Sequence, residues 1–310
     1  MLIAHLSDLH LNTLLSDSNI RKIEKLLDYI VEKKADHLII TGDLTDNADE
    51  SDLLLLRNHL KKRQLLDSKT LTVIPGNHDI FGGPQRAEDI FDFPSRCKKV
   101  DYKEKLISFN NYFNETFEDC LYLSDNRNYP FIKVLNDDIF LLGLNSILEY
   151  SLTKNPFASN GEIKLEQFFE VEQILKKFNS EGQVKIVALH HHFNKIKNTK
   201  RSIAGLWQNI EKQTMKLRKK KRLFSLFNKY KIDLIIHGHI HYNEYYERKG
   251  LNFLNGGASI KGYSGHSLRV NFIEINDKNI KCTLHKLTKS GEIKIEELFS
   301  KRKTEVNELV

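Results

Sequence analysis

An apolar run of strand length that stops on metal-ligand-type side chains, then gives way to helical periodicity, recurs along this chain, and no other feature restricts its fold as strongly. Leu2 to Leu6 is the first such run, and it ends at Ser7, Asp8 and His10. From Ser18, placed to cap a helix, Ile20, Ile23, Leu26, Leu27, Ile30 and Val31 recur at three- and four-residue spacing. The unit then repeats. His37 to Thr41 reads as a strand, Leu53 to Leu60 as a helix, and Leu71 to Ile74 as a strand closed by Pro75-Gly76. Strands that alternate with helices in this way predict parallel pairing through crossover connections.

Downstream, Phe131 to Leu135 and Ile139 to Leu144 flank Asn136-Asp137-Asp138 and predict a hairpin. Leu165, Phe168, Phe169, Ile174, Leu175 and Phe178 form a helical stripe, and Val184 to Leu189 is a buried-type strand ending at His190. Arg218 to Tyr230 predicts a helix and Ile232 to Ile236 a strand that ends at His237-Gly238-His239. From Tyr242 to about Leu287 the chain breaks into short strands at Gly250, Gly256-Gly257 and Asn276-Asp277. The expected fold class is therefore α/β, a four-layer α/β/β/α sandwich with two mixed β-sheets flanked by helices. The 310 residues suffice to bury such a core. Residues 1–298 read as one domain, with an irregular, partly helical insertion over about 81–129. Residues 299–310, mainly charged, are expected to fray.

Composition narrows the setting. Cys97, Cys120 and Cys282 are far apart, odd in number and never in a C-x-x-C arrangement, which argues against a disulfide framework or a thiolate zinc site and suits a reducing interior. The opening residues offer no basic segment and no apolar core of a signal peptide, and charged residues interrupt every hydrophobic run. A cytoplasmic protein without a membrane partner is expected. The formal charge of +7 permits attraction to a phosphate-bearing substrate without specifying nucleic acid. A Lys-rich solvated surface is the commoner cause of so modest an excess, and Lys219-Lys220-Lys221-Arg222 reads as a solvated helix face. The sequence sets no oligomeric state.

The chemistry lies in where the ligand-type residues fall. Asp8 and His10 follow the first strand, Gly42-Asp43 the second, Gly76-Asn77-His78-Asp79 the third, His190 a later one, and Gly238-His239-Ile240-His241 another. In open α/β sheets the loops at the carboxyl ends of strands converge on the ligand site, so five loops can surround one point. Imidazole, carboxylate and amide oxygen without thiolate suit Mn, Fe, Zn or Ni better than Ca or a structural zinc. The candidates Asp8, His10, Asp43, Asn77, His190, His239 and His241 exceed the four ligands of a closed zinc site. Two cations about 3.5–4 Å apart bridged by a carboxylate are a recurrent device for phosphoester cleavage, and Asp43 is the expected bridge. The expected cofactors are two divalent or mixed-valence metal ions.

The ordered set D-x-H, G-D, G-N-H-D, H and G-H-x-H, here Asp8-Leu9-His10, Gly42-Asp43, Gly76-Asn77-His78-Asp79, His190 and Gly238-His239-Ile240-His241, is similar to that of the calcineurin-like metallophosphoesterase superfamily. The resemblance spans residues 8 to 241. It implies that Asp8, His10, Asp43 and His241 hold one metal while Asp43, Asn77, His190 and His239 hold the other. It further implies that His78 faces the scissile phosphate, with Asp79 orienting it, while a metal-bridging water attacks phosphorus. Within the superfamily the chain resembles the bacterial cyclic-nucleotide and glycerophospho-diesterases, on its short length, the opening His5-Leu6-Ser7-Asp8-Leu9-His10 and the block Leu189-His190-His191-His192. One departure is Ala48, where the family often has Gly after the G-D-L-T-D block; it is expected to alter the loop backbone rather than ligation.

The implied function is a dinuclear-metal-dependent phosphodiesterase with a small-molecule phosphate ester, such as a cyclic nucleotide, as substrate. A phosphomonoesterase or a DNA nuclease would use the same metals. A non-catalytic scaffold would be expected to lose ligands, and here every ligand position is filled. Other polar residues have plainer readings. Asp46 and Asp49 read as caps of the following helix, His5 as a packed histidine, and His191, His192 and His237 as residues standing behind the ligands or on the surface. A one-residue shift of register would exchange His190 for His191. Trp207 and the Phe-rich insertion read as core.

Overall fold

The computed structural model describes residues 1–13, 17–84, 89–123, 129–178, 182–194, 215–260 and 267–301; Trp207 and the tail beyond Lys301 lie outside these. Strands β1 (Leu2–Leu6), β2 (His37–Thr41) and β3 (Leu71–Ile74) pair in parallel. Helices α1 (Asp17–Glu32) and α2 (Glu50–Lys62) supply the crossovers. Helix α1 begins one residue before Ser18, and Asp49 caps α2 by accepting from the Ser51 N–H at 2.8 Å. The other side of β1 is taken by β12 (Leu268–Asn276), followed by β13 (Asn279–Leu287) and β14 (Ile293–Lys301), all antiparallel. The first sheet thus runs β14-β13-β12-β1-β2-β3.

The second sheet holds the predicted hairpin, β4 (Phe131–Asn136) and β5 (Ile139–Gly143), then β7 (Val184–Ala188), β9 (Leu234–His237), β11 (Leu251–Asn255) and β10 (Glu244–Arg248), in the order β10-β11-β9-β7-β5-β4. Strands β5, β7, β9 and β11 are parallel, with antiparallel edges. Its outer face carries α6 (Leu165–Lys177) and α7 (Lys220–Lys229). A short parallel pair, β6 (Gly161–Glu162) with β8 (Leu217–Arg218), ties the loops before these helices. Among the described residues, no helix is long and apolar enough to cross a membrane.

Side-chain alternation in the strands builds the layers. Ile3, Ile39 and Ile74 of the first sheet meet Leu141, Ile186 and Leu254 of the second in a central core. Their neighbours Ala4, Leu38, Ile40 and Val73 point the other way, onto Ile23, Leu26, Leu27 and Ile30 of α1 and Leu53, Leu56 and Leu60 of α2. On the far side, Phe140, Leu142, Val187, Ile235 and Phe253 pack under α6 and α7. The result is the expected α/β/β/α sandwich, and each such side chain withdrawn from water contributes about 1.5–3 kcal/mol. In α6 the buried stripe is Val171, Ile174 and Leu175, while Leu165 and Phe169 stay about half exposed.

The insertion contains α4 (Asp89–Lys99), α5 (Tyr102–Tyr112) and a 3-10 turn at Asn114–Phe117. It follows the short helix α3 (Asn77–Phe81) and packs back on the first half, with Phe109 and Phe113 wholly buried. At the other end, the segment from Phe299 was expected to fray. Its first residues, 299–301, pair with β13 as the end of β14, and the Phe299 ring stacks on Tyr245 of the second sheet at 4.4 Å, clasping the two sheets along that edge.

Candidate metal centre

All five ligand blocks sit at the carboxyl ends of parallel strands: Asp8 and His10 after β1, Asp43 after β2, Asn77 at the start of α3 after β3, His190 after β7, and His239 and His241 after β9. The loops are tightly wound. Asp8, His10, Asp43 and His239 adopt positive φ of 50, 45, 51 and 73°, a left-handed conformation uncommon outside glycine and concentrated at functional sites. The Asp8 and His10 N–H groups donate to the carbonyls of Gly42 and Asp43 at 3.0 and 2.9 Å, so the first loop is laced to the second. Close approach explains two glycines. A side chain at Gly76 would collide with the Asp43 carboxylate and backbone nitrogen, and one at Gly238 would collide with Ser7 and the Asp8 carboxylate.

The structure brings the seven predicted ligands together. His190 Nε2 lies 3.2 Å from Asp43 Oδ2, 3.2 Å from Asn77 Oδ1 and 3.1 Å from His239 Nδ1. Beside them, His10 Nε2 lies 3.0 Å from His241 Nε2 and 3.9 Å from the same Asp43 Oδ2, while His241 Nε2 lies 3.7 Å from Asp8 Oδ1. Asp43 Oδ2 therefore adjoins both groups. The His239 backbone N–H donates to both Asp8 carboxylate oxygens at 3.0 Å, and the His78 N–H donates to Asp43 Oδ1 at 2.8 Å. The ligands are almost fully buried except His241, whose side chain is 40% exposed. His190, not His191, meets Asp43; His191 turns its Nδ1 to Ser146 Oγ at 2.9 Å.

Hydrogen bonding tests whether these residues fit a cation. His190 Nδ1 faces the Thr41 carbonyl at 2.8 Å, so that nitrogen carries the donated proton and Nε2 presents a lone pair. That lone pair then meets a carboxylate oxygen, an amide oxygen and another imidazole nitrogen, an arrangement with acceptors on every side that a positive ion satisfies. Without one, protons must do the work. Burial opposes charge on His190, yet Asp43 and Asp8 push it up to about 9. Burial, with Asp43 adding to it, pushes Asp8 up to about 7. Burial would raise Asp43 too, but His190, His78 and His10 hold it well below the usual carboxylate range, leaving an anion at the junction of the two groups. Burial pushes His241 down to about 3 and holds His239 well below the usual imidazole range, so both offer neutral nitrogens. The donor set fits two cations.

The residues around the ligands depart from expectation in two ways. The Asp79 carboxylate does not reach His78. It accepts from the Gly76 N–H at 2.8 Å and the Thr45 N–H at 2.9 Å, so it staples the Asp43 loop to the Asn77 loop. The His78 ring is held instead by Asp46, whose backbone carbonyl is 3.0 Å from His78 Nδ1. Asp46 is thus no helix cap: its Oδ1 also stands 3.2 Å from His10 Nδ1 and 3.7 Å from His78 Nδ1. A second carboxylate three residues after Asp43 was the available signal. Of the two readings of His191, His192 and His237, the structure takes the one behind the ligands: all are buried, with His237 Nε2 bonded to the Tyr246 hydroxyl at 2.8 Å. His5 is packed as expected, against Thr41 Oγ1 at 2.9 Å. Ala48 adopts φ 55°, a left-handed conformation without glycine.

A family model described as calcineurin-like phosphoesterase matches residues 1–243. No curated protein matches the sequence. Among solved structures, a dimetal phosphatase from Danio rerio superposes with a TM-score of 0.62 at 10% identity, over 96% of this chain and 98% of that one. The purple acid phosphatase PPD1 from yellow lupin (Lupinus luteus) gives 0.55 at 12% identity over 95% of this chain and 52% of that one. GAP50, described as the anchor in the inner membrane complex of Plasmodium, gives 0.50 at 12% identity, over 98% of this chain and 90% of that one. At such identities the likeness is one of fold.

Proposed function

This chain belongs to the calcineurin-like phosphoesterase family and is a metal-dependent phosphoester hydrolase; we propose that it is a phosphodiesterase acting on a small molecule such as a cyclic nucleotide. The observation that carries the reading is the convergence of acceptors on His190 Nε2, beside a second group that shares Asp43. In this reading Asp8, His10, Asp43 and His241 would hold one ion and Asp43, Asn77, His190 and His239 the other, with Asp43 common to both sets. Mn, Fe, Zn and Ni all suit these donors. Such ions, when bound, polarise the phosphoryl oxygens and acidify a water for in-line attack.

His78 is the residue that moves a proton. Its side chain is 24% exposed and its ring stands 4.6 Å from that of His10, centroid to centroid. With Nδ1 anchored to the Asp46 carbonyl, Nε2 is left to meet the leaving oxygen and protonate it. A diester is favoured over a monoester by charge. Among the described residues, the charged groups that most shift the titration of the ligand carboxylates and imidazoles are other histidines and aspartates rather than Lys or Arg. A monoanionic phosphate asks for less neutralisation than a dianionic one.

The test is hydrolysis of bis(p-nitrophenyl) phosphate and p-nitrophenyl phosphate by metal-stripped protein with Mn, Fe, Zn and Ni restored singly. Metal-dependent preference for the diester is expected. Turnover of the monoester alone would make the protein a phosphatase, and turnover of neither would favour a scaffold role.

A further inference from the structure

Cations are unevenly spread along this chain, and the fold gathers a group of them at the end of the sandwich that holds the metal centre. Residues 215–230 carry seven Lys and Arg and no carboxylate. Lys216, Arg218, Lys219, Lys221 and Arg222 are all exposed. Two acids answer the run: Glu162 meets Lys219 and, at 3.6 Å, Arg218, while Glu172 meets Lys229 at 3.1 Å. Glu166 and Glu170 line a groove on the flank of α6 that faces α5, beside Lys103 and Lys164. Seven cations against two acids leave the strip five charges positive. Its position follows from the topology, since α6 and α7 start at the carboxyl ends of the second sheet's strands, as the ligand loops do. The β6–β8 pair joins strip to centre. The Gly161 N–H donates to the Lys216 carbonyl at 2.9 Å, a side chain at Gly161 would collide with the His191 ring, and that ring stands 4.5 Å from the ring of His239.

Exposed apolar side chains border the strip on both sides. Arg218 reaches the Lys154 carbonyl at 3.4 Å, in the turn where Leu152 is 76% exposed. Arg222 lies over the Phe168 ring at 5.6 Å, next to Phe169, which is half exposed together with Leu165 one helical turn before it. We propose that this strip docks the protein on an anionic lipid bilayer, with the Lys and Arg side chains against headgroup phosphates and Leu152, Leu165 and Phe169 in the interfacial layer. Cations alone would suit any polyanion. The apolar side chains decide for a bilayer, because Leu152 and Leu165 gain by leaving water for lipid and gain nothing from a phosphate chain. Docking of this kind turns the metal-centre end of the sandwich toward the membrane surface. The cations come from residues 216–222 and the apolar residues from 152 and α6, so they read separately in the sequence, which predicts no membrane partner; only the fold sets them side by side.

This inference does not depend on which phosphate ester the centre takes. The purified protein is sedimented with vesicles of phosphatidylcholine containing about one-third phosphatidylserine, and with vesicles of phosphatidylcholine alone. Wild type should sediment with the anionic vesicles only and be released by high salt. Lys221 and Arg222 are exposed, so Lys221→Ala/Arg222→Ala should fold normally, and Leu152→Ser provides an independent lesion. The double variant should weaken the partition about 25-fold, at about fivefold per cation. Leu152→Ser should weaken it about tenfold, and thermal unfolding should be unchanged in both. Sedimentation with neither vesicle, equal sedimentation with both, or wild-type partition in both variants would overturn the docking surface. Binding of a single-stranded oligonucleotide in place of the anionic vesicles, lost in Lys221→Ala/Arg222→Ala, would overturn it in favour of nucleic acid.

Discussion

Replacing Asp79 by Asn separates two roles for a buried carboxylate beside the metal centre. Asp79 accepts the Gly76 and Thr45 N–H groups on different oxygens, 2.8 and 2.9 Å away. Asn is isosteric but has one oxygen, so one bond survives and the other becomes two N–H groups facing each other. Losing a hydrogen bond to a charged acceptor costs about 1.5–3 kcal/mol and a buried unsatisfied donor adds on the order of 1 kcal/mol, giving roughly 3 kcal/mol in all. For 310 residues the unfolding entropy is about 0.65 kcal/mol/K, so the melting temperature should fall by roughly 5 °C. Because the staple joins the loops carrying Asp43 and Asn77, metal affinity should also fall, by about 10–100-fold. Burial, reinforced by Asp43, pushes Asp79 up to about 7, so the comparison belongs at pH 8, where the carboxylate is ionised. The assays are thermal unfolding and competitive metal titration. If Asp79→Asn kept wild-type melting and metal affinity but altered the pH profile of kcat, the staple would be refuted, and Asp79 would be acting on His78 after all.

His78→Ala should lower kcat on bis(p-nitrophenyl) phosphate by about 10²–10⁴-fold while elemental analysis still finds two metals per chain; full turnover would remove its proton-transfer role. Ala48→Gly should raise stability in urea by about 0.5–1 kcal/mol, since alanine at φ 55° carries left-handed strain that exceeds glycine's entropic cost; no gain would mean the loop relaxes without it. His37, pushed down to about 3 by burial and then by Lys133, bonds the Lys69 carbonyl at 2.6 Å and Thr72 Oγ1 at 2.8 Å. Below pH 6.5 the unfolded chain takes up a proton there that the folded chain refuses, so its contribution to stability is complete above pH 6.5 and is lost as pH falls toward 3. Unfolding free energies of His37→Gln should therefore decline less steeply on acidification, by about 1.4 kcal/mol per pH unit between pH 6 and 4, and parallel slopes would count against it.

The strands of the first half were readable because parallel strands buried on both faces are nearly continuous apolar runs, as in His37 to Thr41 and Leu71 to Ile74, and each ends abruptly where a ligand must face a cation. Sheet membership was not. Nothing local to Leu268–Asn276 says that it will lie against β1 while Leu251–Asn255 joins β9, because that choice is made by contacts far apart in sequence. The convergence of the candidate ligands was legible since their chemistry is carried by side-chain type and order. The roles of Asp46 and Asp79 were hidden for the opposite reason: both are aspartates a few positions from ligands, and which backbone groups they reach depends on left-handed turns at Asp43 and Ala48 that side-chain identity does not announce. For His191, His192 and His237 side-chain type left two placements open, behind the ligands or on the surface, and the structure buries all three behind the centre.

Strand β1 lies between β2 and β12, with Leu2 opposite Glu274. A ribosome delivers Asp8 and His10 first and releases the strand that flanks them only some 260 residues later, at about 5–20 residues per second. By then His239 and His241 have also emerged, so every ligand is available while the strand beneath Asp8 still has one open edge. Stable metal loading therefore belongs to the end of biogenesis, and a nascent chain stalled before β12 would display ligands without a rigid frame to hold them.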